Sequence, residues 1–544
     1  MSVGANARLI AVLTAAARLA GFVRMLVFAA CVGTTTVGTA YQSANTVPNV
    51  VFEIAAGGVL AAIVVPLVAA RLGRGERAEA DAIASALLTW AAAVLLPLVL
   101  IVAALAPLIS RWLLDSAAAV ELGTRMLWVF APQIVLYGIG IVLSGVLNAH
   151  ERFAAAAVAP LVSSLVVIAT YVAYWLVLRG GSPSAAVWVL AGGTSLGVLA
   201  LVATLVPTAR RLGIRLHPTL RFPPGVAAAA RRLAGAGLIA LLAQQISVLA
   251  VLWLANNRAA VGTINGYQYV QAVYLLPYAV LAVPLATAAY PVLAAAEGQG
   301  AAAATTVAHT ARRIVVLGGL AGAVLIAAAD DVGAFFGAID AGRRGVGAQA
   351  LAALPATLRA FAPGLIGFGL AALLTRALYV RGSARRGALV MAGGWLVAAL
   401  LPLILVGGAH DTARTLRLLG VGSSIGMTLA GLGLLALTRR SWGSAALAGV
   451  PRALPAAIMA ALFAASIGRA LRASVPAADS AVTAVLAAGL IGGCTALVYL
   501  LWLWVFDGAT LRLLLPGRPA RIDDPADEDA EVTQPERTRG EGGR

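Results

Sequence analysis

Long apolar runs separated by short polar connections make up most of the chain. Each run is close to the roughly 20 residues that an α-helix needs to cross the hydrocarbon core of a bilayer. The runs are continuous rather than alternating between polar and apolar residues, which excludes a membrane β-barrel. The pattern predicts an all-α polytopic membrane protein with about fourteen transmembrane helices. The predicted spans lie near residues 9–32, 37–69, 83–110, 123–147, 155–178, 185–207, 233–256, 263–294, 313–329, 352–378, 387–407, 416–437, 452–468 and 480–506.

Prolines interrupt two of the longest predicted spans. Pro48 lies inside the second span, and Pro277 and Pro284 lie inside the eighth. Because proline lacks an amide hydrogen and its ring clashes with the preceding turn, it kinks or breaks a helix. We therefore expect both spans to be broken rather than straight.

A polar connection near the middle divides the chain into two similar halves. The segment TARRLGIRLHPTLRFPPGVAAAA begins at Thr208. On either side of it, APQIVLYGIG at Ala131 aligns with APGLIGFGLA at Ala362, and VVPLVAARLG at Val64 aligns with AYPVLAAAEG at Ala289. The nearly equal offsets of 231 and 225 residues indicate duplication of a six-helix unit. Transporters built from parallel repeats bind their substrate between two lobes that rock against each other.

The spans and the polar connection predict five segments. They are an N-lobe at 1–207, a cytoplasmic linker at 208–232, a C-lobe at 233–438, a helix pair at 439–506 and a cytoplasmic tail at 507–544. The tail is polar and has no hydrophobic periodicity, so we expect it to be disordered.

Composition and charge set the class and the orientation. With 61% hydrophobic and 11% charged residues, the 544-residue chain has a mean hydropathy of +0.93, which no soluble domain approaches. All 39 basic residues are arginines and the net charge is +17. The arginines concentrate in alternate connections, which places those connections and both termini in the cytoplasm, next to anionic lipid rather than nucleic acid. Cys31 and Cys494 lie in apolar runs, so no structural disulfide is expected.

Two arginines lie inside the first apolar span. Arg18 and Arg24 each cost roughly 2.5–3.5 kcal/mol at bilayer depth, so a function is the default explanation. On a regular helix they point about 120° apart. Glu53 in the second span falls at a depth similar to that of Arg18, and we predict that these two pair. Arg24 is then free to bind a phosphate oxygen. The alternative is that both arginines only bond backbone carbonyls or snorkel.

Polar side chains on the second, seventh and eighth spans add to the predicted interior. Tyr41, Gln42, Asn45 and Asn49 form one stripe, and Gln268, Gln271 and Tyr274 form another. Interhelical hydrogen bonding explains such stripes equally well. The predicted substrate-binding residues are Arg18, Arg24, Glu53, Asn49, Gln42, Gln245, Gln268, Gln271 and Tyr274. The sequence has no motif for a metal, a nucleotide or a catalytic triad, so we expect no enzyme activity and no cofactor.

Several stretches resemble the MviN/MurJ family of lipid II flippases, part of the MOP superfamily that also holds the MATE exporters. The similar stretches are ARLAGFVRMLVFAACVG, VPNVVFEIAAGGVLAAIVVPLVA, LSGVLNAHERFAAAAVAPLV, YLLPYAVLAVPLATAAYPVL and RALYVRGSAR. The resemblance implies a MATE/MOP-like fold of two six-helix lobes plus two C-terminal helices that form a groove for a lipid tail. It also implies movement of undecaprenyl-diphosphate-linked muropeptide to the outer leaflet of a bacterial plasma membrane, with Arg18 and Arg24 as cavity arginines.

The sequence departs from the family pattern at several cavity positions. Phe52 and Glu53 replace a basic pair, Gly57 replaces a glutamate, and Thr39 replaces an aspartate. An eighth-span arginine falls at Ala272, and an aspartate linked to sodium binding in some members falls at Val251. We expect a less cationic cavity, and the coupling ion is left open between sodium, another ion and the membrane potential alone.

Three functions from different classes follow. The first is a flippase for lipid II or a similar polyprenyl-diphosphate glycan, with membrane lipids and cell-wall synthesis proteins as further partners. The second is a MATE-like exporter, whose cavity should be acidic. The third is a non-transporting scaffold for cell-wall enzymes, to which the acidic tail would serve as a docking segment.

Overall fold

The computed structural model describes residues 3–54, 58–223, 226–295 and 300–512. These residues form helices joined by turns and one extended connection, and no strand is found among them. In this part of the chain, thirteen helical segments are long and apolar enough to cross a membrane, and a shorter apolar helix covers Ile63–Leu72. The protein is therefore an all-α multi-pass membrane protein, as the apolar runs predict.

The helices fall into two bundles and a C-terminal group. The first bundle contains Val3–Cys31 (α1), Thr36–Phe52 (α2), Gly58–Leu72 (α3), Arg77–Ala104 (α4), Ala106–Leu113 (α5), Ala117–Phe130 (α6), Gln133–Ala149 (α7), Phe153–Arg179 (α8) and Pro183–Arg211 (α9). The second bundle contains Val226–Asn257 (α10), Thr263–Pro277 (α11), Val283–Ala295 (α12), Gly300–Ala327 (α13), Ala329–Ile339 (α14), Ala348–Ala352 (α15), Leu354–Phe361 (α16), Leu365–Val380 (α17), Ala384–Val406 (α18) and Thr412–Trp442 (α19). The C-terminal group contains Val450–Ser474 (α20), Ala481–Phe506 (α21) and Gly508–Leu511 (α22).

Each bundle is held together mainly by its own helices. In the first, α8 packs against α1 and α9, α7 packs against α3, α4 and α9, and α2 packs against α6. In the second, α18 packs against α10 and α19, and α17 packs against α13 and α19. Across the junction, α3 packs against α10 and α2 packs against α11. Several helices begin a turn or more before the predicted span, because their polar first turns fall below any hydropathy threshold.

Both proline-containing spans are broken, as predicted. In the second span α2 ends at Phe52, and π-helical geometry follows at Glu53. In the eighth span α11 ends at Pro277 and continues as the π-helix Tyr278–Ala282. A π-helical turn takes up the hydrogen-bond mismatch that a proline leaves in its helix. The two π-helical turns begin 225 residues apart, at the offset of one aligned pair of segments, and the duplication itself stays a prediction.

The connection between the bundles is fixed along α4 rather than hanging free. Residues 214–223 are extended, and alternate amide groups donate to side chains spaced four apart on α4. The bonds run from Arg215 N to Asp81 Oδ2 at 3.2 Å, from His217 N to Ser85 Oγ at 3.1 Å, and from Thr219 N to Thr89 Oγ1 at 3.0 Å. Two extended residues rise about 6.6 Å and four helical residues about 6.0 Å, so the two repeats match.

The C-terminal helices attach to the second bundle. Helix α20 packs against α13, and α21 packs against α13, α14 and α20. An ion pair joins α20 to α14, with Arg472 Nε 2.8 Å from Asp331 Oδ1. Both side chains are withdrawn from solvent, at 12% and 0% exposure. This contact fixes the end of α20 that is distant from the connection between the bundles.

The predicted tail begins later than expected. Asp507 follows α21 directly and caps α22, accepting hydrogen bonds from Thr510 Oγ1 at 2.6 Å and from Arg452 Nη2 at 2.7 Å. Burial by itself raises the pKa of Asp507, but these hydrogen bonds outweigh it and leave the pKa below its ordinary value. Residues 507–512 therefore carry defined structure, and the predicted disorder of 513–544 lies outside the described residues.

Replacing Arg472 with alanine is expected to destabilise the protein by about 3 kcal/mol, because the buried Asp331 carboxylate loses its partner. Thermal unfolding of the detergent-solubilised protein measures the effect. Arg469→Ala is the matched control, since Arg469 is an exposed arginine on the same helix. Equal melting temperatures for the two variants would show that the ion pair contributes nothing to stability.

Candidate functional site

A polar cavity of about 390 Å³ lies at the junction between the bundles. Its walls come from α1, α2, α7, α8, α9 and α11, so helices of the first bundle enclose it and the second bundle closes one side. The residues that line it are Gly21, Arg24, Met25, Phe28, Tyr41, Gln42, Asn45, Thr46, Asn49, Tyr137, Ser163, Val167, Tyr171, Thr194, Val198, Gln268 and Tyr269. Arg24 is the charged side chain among them.

The Arg24 guanidinium group points into this cavity without a counter-charge. Arg24 is half-buried, and it makes no hydrogen bond or ion pair with any residue that the structure describes. Its positive charge interacts electrostatically with the hydroxyl groups of Tyr41, Tyr137 and Tyr171, which line the same cavity. A guanidinium group presents five donors in a planar fork that matches carboxylate and phosphate oxygens. The arrangement is therefore suited to binding an anionic group.

Buried hydroxyl groups form a fixed wall behind Arg24. The Tyr41 hydroxyl lies 3.0 Å from that of Tyr171 and 3.1 Å from Thr194 Oγ1. The Tyr41 ring packs edge-on against Phe130 at 5.7 Å. Tyr41 thus holds α2, α6, α8 and α9 in register, and the wall is rigid because each hydroxyl group has a partner.

The predicted polar stripe on α2 faces the cavity. Tyr41, Gln42, Asn45 and Asn49 all line it. Gln42 Nε2 donates to Gln268 Oε1 on α11 at 2.6 Å, which joins the two bundles. Asn49 Nδ2 donates to the Asn45 carbonyl of its own helix at 3.0 Å. The stripe therefore lines the cavity and also bonds across the junction, and its binding of a substrate stays a prediction.

Arg18 lies outside this cavity and does not pair with Glu53. Arg18 is exposed on α1. Its positive charge interacts electrostatically with the Tyr278 hydroxyl group, as does the charge of Arg376 on α17. Glu53 is half-buried, and within the described part of the chain it forms no ion pair. The predicted pairing is wrong, because a similar depth in the membrane does not bring two side chains onto facing sides of their helices.

The predicted stripe on α11 is divided between two spaces. Gln268 lines the larger cavity, whereas Gln271 and Tyr274 line a separate pocket of about 40 Å³ in the second bundle. Positions 268 and 274 differ by about 120° around the helix, which is enough to face both sides. Val251 also lines the small pocket. Gln245 is buried on α10 and lines neither space.

No cluster of three or more histidine, cysteine, aspartate or glutamate side chains suited to a metal ion occurs in the described ranges. Cys31 and Cys494 are free thiols, as expected. The family glutamate position, Gly57, lies outside the described residues.

Several residues of the cavity wall and the junction were not predicted from the sequence, among them Tyr171, Thr194 and Arg376. Tyr171 and Thr194 lie in long apolar runs, where a single hydroxyl group gives no signal of its position. Arg376 lies at the end of an apolar span, in RALYVRGSAR, and its charge was a signal of the same kind as that of Arg18.

An apolar groove of about 360 Å³ lies on the second bundle among α13, α17, α19 and α20. Helix α20 contributes Leu454, Ile458, Ala461 and Leu462. The expected lipid groove used both C-terminal helices, but α21 supplies none of the residues that line this one.

Comparison with known proteins identifies the family. A family model described as lipid II flippase MurJ matches residues 28–487. This match covers most of the chain. The chain belongs to the MurJ lipid II flippase family.

Individual relatives agree with the family match. "Probable lipid II flippase MurJ" of Rhizobium tropici is 27% identical over 52% of this chain and 53% of that protein. The corresponding protein of Rhizobium meliloti is also 27% identical, over 52% of this chain and 53% of its own length. The chain therefore spans about half the length of the curated relatives it matches.

Solved structures share the fold. A MurJ lipid II flippase in an inward closed conformation has a TM-score of 0.73 at 16% identity, over 93% of this chain and 100% of that chain. An inward-facing multidrug resistance MATE transporter of the MOP superfamily has a TM-score of 0.66 at 16% identity, over 79% and 95%. Within the MurJ family fold, the cavity that holds Arg24 lies where the two bundles meet.

Replacing Arg24 with glutamine is expected to weaken pyrophosphate binding about tenfold, because hydrogen bonds to charged groups are the stronger class. Isothermal titration calorimetry on the detergent-solubilised full chain measures it. Arg18→Gln should have a smaller effect, since Arg18 lies outside the cavity, and Arg469→Gln serves as a control of equal charge. Unchanged affinity in Arg24→Gln would contradict a role for Arg24 in anion binding.

Proposed function

We propose that this protein moves a polyprenyl-diphosphate-linked peptidoglycan precursor, lipid II, from the inner to the outer leaflet of a bacterial plasma membrane. The observation that carries the proposal is the Arg24 guanidinium group, which faces a polar cavity at the junction of two bundles in a MurJ-family chain. A diphosphate supplies the missing counter-charge. Translocation of this kind needs no covalent chemistry, and we infer that the protein is a transporter and not an enzyme.

Charge on both bundles supports an anionic headgroup. Arg24 and Arg18 belong to α1, and Arg376 belongs to α17 of the second bundle. Arg18 and Arg376 both interact electrostatically with Tyr278, so each bundle contributes a positive charge near the same tyrosine. Like charges that approach one another repel, and an anion between them relieves the repulsion. The sugar and peptide parts of the headgroup would meet Gln42, Asn49 and Gln268.

The orientation that we propose has both termini in the cytoplasm, because arginines crowd the connections on that side. The turn between α1 and α2 is then extracellular. Hydrogen bonds between the bundles cluster from that turn to mid-depth among the described residues, at Gly33, Thr34 and Gln42. The cavity would therefore receive its cargo from the cytoplasmic leaflet in this state.

Sodium coupling through the second bundle is not part of the proposal. The small pocket beside Val251 is lined by Ser247, Gln271, Tyr274 and Ser423 among its polar residues, and no carboxylate lines it. Hard cations such as sodium favour oxygen sites that carry negative charge. The membrane potential or another ion would then drive the cycle.

A MATE-like exporter of cationic drugs is the second candidate, because the fold is also similar to that of a MATE transporter. The cavity argues against it, since an arginine and no carboxylate lines its wall. A non-transporting scaffold has no specific observation in its favour, because the acidic tail lies outside the described residues.

Arg24→Ala is expected to abolish rescue of a bacterium depleted of its own lipid II flippase, because the diphosphate loses its counter-charge. Growth on depletion is measured, together with the accessibility of lipid II at the outer leaflet.

Arg469→Ala is the control, because it removes an exposed arginine that is distant from the cavity. Its insertion into the membrane should equal that of the wild type. Both variants must reach the membrane at the wild-type level. Normal growth and normal outer-leaflet lipid II with Arg24→Ala would refute the proposed role.

A further inference from the structure

We propose that the contact between Thr34 and the second bundle, called the latch below, holds the extracellular ends of the two bundles together. Thr34 inserts into a socket formed by Gly262, Gly342 and Gly347 and closed by Asp340. Tyr269 connects this latch to the cavity. The inference goes beyond the transported cargo, because it concerns which contact must separate before the cavity opens outward.

Thr34 is fully buried at the turn between α1 and α2, inside three glycines of the second bundle. A Cβ atom on Gly347 would lie 1.8 Å from Thr34 Oγ1, and one on Gly342 would lie 2.5 Å from it. A Cβ atom on Gly262 would lie 2.7 Å from Thr34 Cβ. Real Cβ contacts are never so short, so any larger residue at these positions displaces Thr34. Gly342 and Gly347 do not have positive φ angles. Glycine is therefore required there by the close approach of Thr34 and not by the backbone conformation.

Asp340 closes the socket with a completely buried carboxylate. Its oxygens accept hydrogen bonds from Thr34 N at 3.0 Å, Thr34 Oγ1 at 2.7 Å, Gly342 N at 2.7 Å and the Tyr269 hydroxyl at 2.7 Å. No arginine among the described residues forms an ion pair with this carboxylate. A buried carboxylate without such a partner depends on its hydrogen-bond donors.

Separation of the bundles therefore removes two of the four donors at once. Both donors that leave belong to Thr34, whereas Gly342 and Tyr269 stay with Asp340 in the second bundle. Water must enter to replace them, so the contact is either fully made or fully broken. Two neighbouring bonds separate with it: Asn265 Nδ2 to Gly33 O at 2.7 Å, and Ala341 N to Ala29 O at 2.9 Å.

Tyr269 belongs both to the latch and to the wall of the cavity. Its ring stacks on Phe336 at 4.6 Å, which keeps the hydroxyl group directed at Asp340. A headgroup that displaces Tyr269 would remove a third donor from the carboxylate. Occupancy of the cavity would then weaken the extracellular closure, which is the coupling that an exporter to the outer leaflet requires.

The test measures how accessible the cavity is from outside the cell. In a background of Cys31→Ser and Cys494→Ser, Thr46→Cys provides one reporter thiol in the cavity wall. Intact cells are treated with a membrane-impermeant thiol reagent, and the labelled fraction of full-length protein is measured. Asp340→Asn and Thr34→Ala should each raise outside labelling about tenfold, because each removes a charge-assisted hydrogen bond across the junction.

Gly347→Ala should raise labelling further, since the added methyl group occupies the position of Thr34. Gly337→Ala is the matched control, because a Cβ atom there meets nothing within 4 Å. Thr34→Ala only removes atoms and introduces no steric clash. It therefore still tests the latch if Gly347→Ala does not fold. Wild-type labelling in both Thr34→Ala and Asp340→Asn, at wild-type protein levels, would overturn the latch.

This readout does not depend on the cargo. Increased labelling in the latch variants, together with failure of the wild-type chain to rescue a flippase-depleted strain, would support the latch and refute lipid II transport. Arg24→Ala separates the two further, because it should abolish rescue while leaving the labelling of an empty cavity unchanged.

Discussion

An arginine side chain held inside the membrane without a counter-charge is the constraint on which the rest of this structure depends. The Arg24 guanidinium group cannot lie in hydrocarbon, because its desolvation would cost several kcal/mol. It is tolerated because α1 presents it to a cavity whose walls carry hydroxyl and amide groups. The cavity must therefore stay polar, and the bundles around it must leave it open to solvent or to a ligand at some stage.

The two bundles share a junction that is unequal along its length. Near the turn between α1 and α2, buried groups bond across it and meet at glycine positions. Towards the connection between the bundles, Arg18 and Arg376 bring like charges near Tyr278. One end is thus held by short hydrogen bonds, whereas the other carries positive charge on both bundles. This asymmetry is what a pair of rocking bundles needs in order to open at one face at a time.

The connection between the bundles shapes how they can move. Because its amide groups are bonded to Asp81, Ser85 and Thr89, the extended segment moves with the first bundle. Among the residues that line the cavity, Arg24 is the charged side chain.

The sequence by itself determined the membrane class, the broken second and eighth spans, the family and the presence of Arg24 in an interior space. These features follow from hydropathy, from proline and from single charges in apolar runs, which are local properties of the chain. Tertiary structure decided which polar groups meet. Glu53 and Arg18 lie at similar predicted depth yet do not pair, and α11 directs Gln268 and Tyr274 to different spaces. The contact of Thr34 with Asp340 joins residues 306 positions apart, and no local pattern encodes such a contact.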